Sequence, residues 1–367
     1  MVNIYYDLLD LQHDKNYTIF LSISVDGGKS YNILSQGLTG DIGEKIAPGE
    51  GKHIIWNTGV VFDSLFCTDL RFRLAVMNTD SITLQSKTGL FYIDRNSRGY
   101  EEYKNDKDGS ILIKIPAGEF RMGTPAGEGE IDEHPQHKVY LNEYYIGKYE
   151  VTNEQFEQFI NATGYATDAE KKGRGILIEG DKWVEKEGVN WRYYNSTERE
   201  KHPVVLVSWN DTQAYCVWAR LQLPTEAEWE KAARGMDGRE YPWGNDWNAA
   251  KCISKETDTD FIISKKGYVD MGESKSTLPV GSYSNGTSVY GCYDLAGNAW
   301  EWCNDWYGGY YTSGLYQNPK GPLLGDHRVL RGGSFYSVSW TCRSAFRIWS
   351  EPSFQRPLYG FRVSLSK

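Results

Sequence analysis

At 367 residues, 40% hydrophobic and 24% charged, the chain is long enough for two or three domains and at least one large core. Its 26 Tyr and 13 Trp describe a folded, loop-rich protein that uses aromatic rings for ligand contact as well as for core. A net charge of -9 with no basic run excludes a surface that tracks nucleic-acid phosphates.

No apolar run is long enough to span a membrane, and the start, MVNIYYDLLD, has neither a basic nor an apolar signal region. The compartment therefore stays open: cell surface or secreted if a signal has been removed, otherwise cytoplasmic. The six cysteines (67, 216, 252, 292, 303 and 342) show no CxxC spacing, which argues against zinc and thioredoxin-type chemistry and leaves buried free thiols as the default.

Residues 1–103 alternate as strands. Tyr17, Ile19, Leu21, Ile23 and Val25 share a face, Asp26-Gly27-Gly28 turns the chain, and Tyr31 and Ile33 continue it as a hairpin. Leu70, Phe72, Leu74 and Val76 alternate in the same way, and GLTGDIG and APGEGK supply turns. The expectation is a small immunoglobulin-like sandwich. The polar residues 104–110 read as a linker to a second domain, 111–367.

That second domain sets a few helices among many loops. In VTNEQFEQFINATG, Thr152 and Gln155 have capping-box spacing, Phe156, Phe159 and Ile160 fall on one face, and Gly164 ends the helix. LPTEAEWEKAARG repeats the device with Thr225, Glu228, inward Trp229, Ala232 and Ala233, and a stop at Gly235. Residues 208–221 read as a third helix. Beyond residue 240 Gly, Trp, Tyr and Asn dominate, and backbone of that kind needs side chains or ions to satisfy its polar groups.

The chain closes on RGGSFYSVSWTCRSAFRIWSEPSFQRPLYGFRV, 331–363, whose ends look like fixed punctuation around an irregular, aromatic-rich interior. Phe335 and Phe361, next to the fixed ends, read as core. Tyr336, Trp340, Trp349, Phe354 and Tyr359 read as exposed, the alternative being that they fill the core of a loop-rich domain.

Seven stretches occur in a telling order: IPAGEFRMGT, YEVTNEQFEQFI, LPTEAEWEKAARG, YPWGN, YDLAGNAWEWCNDWY, RVLRGGSF and GFRV. Over roughly residues 109–367 the chain thereby resembles the formylglycine-generating enzyme superfamily. The resemblance implies an α+β class and an elaborated C-type-lectin-like fold. Catalytic members carry two cysteines shortly after the Gly-Gly-Ser element, as copper ligands and for thiol chemistry. Here those positions run Phe335, Tyr336, Ser337, Val338, Ser339, Trp340, Thr341, with neither cysteine. Cys342 precedes Arg343-Ser344-Ala345, an element that follows both catalytic positions, so it reads as core, and a lone thiol makes no two-thiolate copper site.

A second enzymatic branch, the iron-dependent sulfoxide synthases, gathers three His ligands through an added helical domain. Here the N-terminal region reads as strands with only His13 and His53, which disfavours that branch. His134 and His137 have suggestive spacing but fall in a segment the family uses as a loop, and read as structural or solvated. The resemblance also implies structural calcium held by the Asp294 and Glu301 carboxylates with the Gly297 and Ala299 carbonyls, a hard-oxygen set; the alternative is that the two acids only cap turns.

The C-terminal stretch resembles the variable regions of retroelement-diversified proteins. By that resemblance the ligand-binding set is Tyr336, Ser337, Val338, Trp340, Phe346, Ile348, Trp349, Ser350, Ser353, Phe354, Pro357, Leu358 and Tyr359. The expectation is a non-catalytic protein that binds a protein or other macromolecular ligand on this face, of receptor or adhesin type. The alternatives are an enzyme of altered oxidative chemistry and a structural component of a surface assembly.

Overall fold

The computed structural model describes residues 2–8, 17–24, 32–33, 38–40, 42–47, 49–56, 71–78, 88–179, 182–194, 199–257, 276–309 and 315–366. Contacts divide the chain into two units, 1–91 and 92–367.

The described residues of the first unit are almost all strand. Strands β1 (Val2–Leu8), β2 (Tyr17–Ser24), β3 (Asn32–Ile33), β4 (Leu38–Gly40), β5 (Gly43–Ile46), β6 (Gly49–Trp56) and β7 (Arg71–Asn78) form two antiparallel sheets. One has the order β1-β6-β4; in the other β2 is flanked by β3, β5 and β7. The expected hairpin pairs Ser22 with Ile33 and Ile23 with Asn32. Its turn, Asp26-Gly27-Gly28, lies outside the described residues, as do Val25, Tyr31, Leu70, His13 and Cys67. His53 stacks on Tyr5 at 4.4 Å and bonds Asn3 at 3.1 Å.

The second unit begins earlier than its polar linker suggested. Strands β8 (Leu90–Arg95), β9 (Glu101–Asn105) and β10 (Ile111–Ile115) run side by side in one sheet. Residues 104–110 form the turn of the β9–β10 hairpin: Lys104 pairs with Ile111, the Asn105 N–H donates to the Ser110 carbonyl at 2.9 Å, and Asp108 accepts from Asn105 Nδ2 at 2.8 Å. The segment is polar because tight turns need Asn, Asp and Gly, which is also what a linker would show. The boundary falls at Phe91–Tyr92.

After β11 (Gly118–Met122), β12 (His137–Leu141) and β13 (Tyr144–Gly147) come the helices α1 (Asn153–Thr163) and α2 (Asp168–Lys172). Strands β14 (Arg174–Glu179) and β15 (Lys182–Glu187) pair as a hairpin, followed by α3 (Trp209–Ala219) and α4 (Glu226–Arg234). The capping boxes at Thr152–Gln155 and Thr225–Glu228 are both formed, and Gly164 and Gly235 terminate α1 and α4 with positive φ. Residues 208–221 contain α3, capped by Ser208 with Asp211. The short α2, with its own Thr167–Glu170 box, was not anticipated.

Phe156, Phe159 and Ile160 are buried, and Trp229, Ala232 and Ala233 reach the centre of the core beside Ile113, Phe120, Val139 and Val329. Every residue of α4 is buried, its charged ones included.

The chain end closes the domain. Strand β16 (Trp300–Trp306) lies between β18 (Arg328–Arg331) and β20 (Tyr359–Gly360), with β19 (Arg347–Ser350) on β18. Strand β17 (Leu315–Gln317) pairs in parallel with β12. The last strand, β21 (Ser364–Ser366), pairs with β13, so the first and last thirds of the unit share a sheet.

Candidate functional site

Two arrangements carry the chemistry of the second unit. The first is a buried charge cluster behind the segment 294–301. Asp294, Gly297 and Asn298 all have positive φ (58°, 82° and 62°), which curls the chain tightly. A Cβ on Gly297 would lie 2.0 Å from the Ile253 carbonyl oxygen, so only glycine fits there.

Around this curl stand three carboxylates and one guanidinium. Arg362 donates to Glu301 through Nε at 2.5 Å and through a terminal nitrogen at 2.6 Å, and Trp229 Nε1 adds a bond at 2.7 Å. Glu150 accepts from Asn298 Nδ2 at 2.6 Å and from the Ala299 N–H at 3.1 Å. The half-buried Asp294 accepts from the Gly281 N–H at 2.6 Å. Burial, then the charges of Asp294 and Glu301, pushes Glu150 well above the usual carboxylate range; desolvation lifts Asp294 to about 6.

These bonds test the calcium set. Both Glu301 oxygens are held by Arg362 and Trp229, which disfavours Glu301 as a ligand. Of the expected ligands, Asp294 has a carboxylate to which no Arg362 bond is made, and Glu150 stands near enough to feel its charge. Among the described residues no three His, Cys, Asp or Glu side chains converge in metal-holding geometry, so carbonyls must complete any such site. Glu150 escaped the sequence reading because it lies 144 positions before Asp294, in a motif read only for its helix cap.

The second arrangement is the C-terminal stretch, which three buried arginines hold to the core. Arg331 bonds Glu230 and donates to the carbonyls of Ser344, Ala345 and Phe346 at 3.0, 2.6 and 2.9 Å. Arg343 grips Glu133 with two bonds of 2.8 and 2.7 Å, and Arg347 grips Glu226 likewise. Although burial raises the Glu133 carboxyl, its bonds from Arg343 and Thr124 outweigh this and hold it below the ordinary value. Planar guanidinium forks satisfy loop carbonyls that no sheet or helix serves.

On this backbone the thirteen residues separate. Trp340 and Trp349 are 51% and 50% exposed. Tyr336, Val338, Ile348, Ser353 and Phe354 are half-buried; Ser337, Phe346, Ser350, Pro357, Leu358 and Tyr359 are buried. Tyr359, expected at the surface, packs edge-on against Trp302 at 5.5 Å, because β20 pairs with β16 and carries its ring inward. Phe346 fills the space between Trp300 and Trp340. Phe335 and Phe361 are core, as expected.

The accessible rings have separate neighbours. Trp349 lies on His327 at 4.1 Å and near Tyr307, Lys255 covers Tyr336, and Arg356 stands over both Phe354 and Trp183. Trp183, 41% exposed on β15, had no periodic signal to single it out. Trp340 walls a cavity of about 740 Å3 whose rim carries exposed Glu128, Glu130 and Glu240 and whose lining includes Arg234 and Arg343.

Cys342 is fully buried beside Cys252 and Ala296, and burial drives its thiol up to about 12. Cys216, Cys252, Cys292 and Cys303 are likewise free and buried. A protonated, enclosed thiol is inert. His134 and His137 bond the backbone carbonyls of Glu128 and Pro135 at 2.7 and 3.0 Å, and His137 packs on Tyr316.

Comparison with known proteins agrees with this architecture. The chain is 36% identical over 282 residues to the formylglycine-generating enzyme of Bos taurus, covering 69% of this chain and 74% of that one. It is 33% identical over 283 residues to the bovine inactive C-alpha-formylglycine-generating enzyme 2, covering 69% and 87%. In fold it resembles Treponema denticola variable protein 1, with a TM-score of 0.52 at 22% identity over 73% of this chain and 99% of that one. Residues 100–367 match the sulfatase-modifying factor enzyme 1-like domain, and with the C-type-lectin-like α+β fold, the capped helices and the Arg–Glu anchors in place, the chain belongs to that family.

Proposed function

We propose that this protein is a non-catalytic binding protein that presents aromatic side chains of its C-terminal stretch to a protein or other macromolecular ligand. The observation that carries this reading is the combination of half-exposed Trp340 and Trp349 with a backbone pinned by buried Arg–Glu pairs. Rigid indoles lose little entropy on binding, and anchors beneath them keep the surface preorganised. Family membership alone does not decide catalysis, since the relatives include both a formylglycine-generating enzyme and one named inactive.

Against catalysis stands the stretch Phe335–Thr341, where no cysteine occurs, and the enclosed thiol of Cys342. Incubated with a sulfatase-type cysteine peptide, copper and oxygen, the protein is expected to form no aldehyde. Turnover at the rate of the bovine enzyme would refute the reading. The same stretch fits positions diversified by a retroelement, so the flanking DNA is expected to hold a near-copy of the last ~120 bases, at three bases per residue of a ~40-residue stretch, beside a reverse transcriptase gene.

Structural calcium belongs to the same proposal. Arg362 is committed to Glu301, and burial favours a proton on Glu150 beside Asp294; a divalent ion would take the place of that proton. At ~100 times its Kd calcium should add roughly 2.7 kcal/mol to stability. A melting temperature that ignores both chelator and added calcium would remove the ion from the account.

A further inference from the structure

A second cavity, of about 330 Å3, lies where β11, β12, α4 and β16 meet the loop 319–322. Met122, Ala227, Trp306, Tyr316, Pro319 and Pro322 give it an apolar wall. Into this wall is set Asp305, only 4% exposed. Its Oδ2 accepts the Glu226 N–H, the first of α4, at 2.9 Å. Its Oδ1 faces the loop: a Cβ on Gly321, itself part of the lining, would stand 3.0 Å from that oxygen.

Glu226 also lines the cavity, but Arg347 takes both of its oxygens, at 2.8 and 2.7 Å. The same guanidinium donates to the carbonyls of Asp132 and Gly308 at 3.1 and 2.8 Å. Arg331 also lies 3.8 Å from Glu226, so the guanidinium groups closest to this pair of buried acids are committed to Glu226, while the hydrogen bond given to Asp305 comes from a backbone N–H.

We propose that this cavity binds a small organic cation, a primary ammonium or guanidinium on a short apolar stem, with Asp305 as its counter-ion. The ligand head supplies the positive charge that Arg347 gives to Glu226, and the stem covers the apolar wall. A cavity of this size sits at the small end of ligand pockets, which limits the stem to a few carbons.

Without a ligand the imbalance is met by a proton: burial first, then the Glu226 charge, raises the Asp305 carboxyl to about 8. Glu228 on α4 adds to this, while Arg347 on β19 opposes it; Arg328 on β18 also interacts with Asp305. His137 and Lys320 line the cavity too, and positive charge on either works against the ligand. Cation binding must therefore displace the Asp305 proton. From that carboxyl alone, affinity should weaken about 50-fold between pH 8 and pH 6, and at pH 7 about 0.9 proton should leave per ligand bound.

The test titrates the whole protein with n-butylamine and with n-butanol, which has nearly the same shape and no charge. Saturable butylamine binding at millimolar Kd is expected at pH 8, with butanol at least tenfold weaker. Calorimetry in two buffers of different ionisation enthalpy should report the released proton. Asp305→Asn should weaken butylamine at least tenfold and erase its advantage over butanol. Equal binding of the two probes, a pH-independent affinity, or no saturable binding of butylamine overturns the proposal. If Asp305→Asn fails to fold, the buffer-dependent heat of the unaltered protein decides.

Discussion

Replacing Tyr359 by alanine is expected to cost about 3–5 kcal/mol of unfolding free energy, whereas alanine at Trp340 or Trp349 should cost about 1 kcal/mol or less. Tyr359 is 5% exposed and packs against Trp302; the two tryptophans are half in solvent. Phe346 belongs with Tyr359, since it supports Trp340 from below and rests on Trp300. The order reverses for ligand binding, where Trp340→Ala or Trp349→Ala should remove about 2 kcal/mol or more if either is a hot spot. Urea unfolding of the single variants, paired with binding measurements once a ligand is in hand, separates the two roles. Comparable destabilisation by all four substitutions would show that the stretch is core throughout and presents no binding face.

Arg362→Met is expected to be as costly, about 3–5 kcal/mol, because it strands buried carboxylates without their guanidinium. Arg362 is fully buried, bonds both oxygens of Glu301, and donates to the carbonyls of Gly147 and Tyr293 at 2.9 and 2.8 Å. It therefore ties the last motif, Gly-Phe-Arg-Val, to β13 and β16 together. Since the main penalty is the uncompensated charge and not a lost attraction, Arg362→Met with Glu301→Leu should cost less than the two single changes added. Chemical denaturation of the four-member cycle measures this. Strict additivity would mean that the pair is not coupled.

The helices of the second unit could be read from residue order because their signals are local. Thr152 with Gln155 and Thr225 with Glu228 announce a helix start within four residues, and the apolar spacing that follows names the buried face. The absence of cysteine between Phe335 and Thr341 is equally plain from the chain alone. Composition went wrong where one chemistry serves two structures: Lys104–Ser110 is polar as a linker is, yet it turns a hairpin.

In the C-terminal stretch the irregular backbone has no period, so sequence could identify its aromatic residues without deciding which way each one points. Tyr336, Trp340 and Tyr359 look alike in sequence and end half-buried, exposed and buried, because β20 is drawn onto β16 while residues 339–342 turn past Phe346. The Arg–Glu anchors joining Arg331 to Glu230, Arg343 to Glu133 and Arg347 to Glu226 bridge 101, 210 and 121 positions. Sequence by itself determined the family, through seven stretches in order, and the capped helices and the missing thiol pair, through residues within a few positions of one another. Tertiary structure alone decided which rings meet solvent, which acid joins Asp294 and where Asp305 is enclosed, because burial and charge pairing depend on segments that only the folded chain brings together.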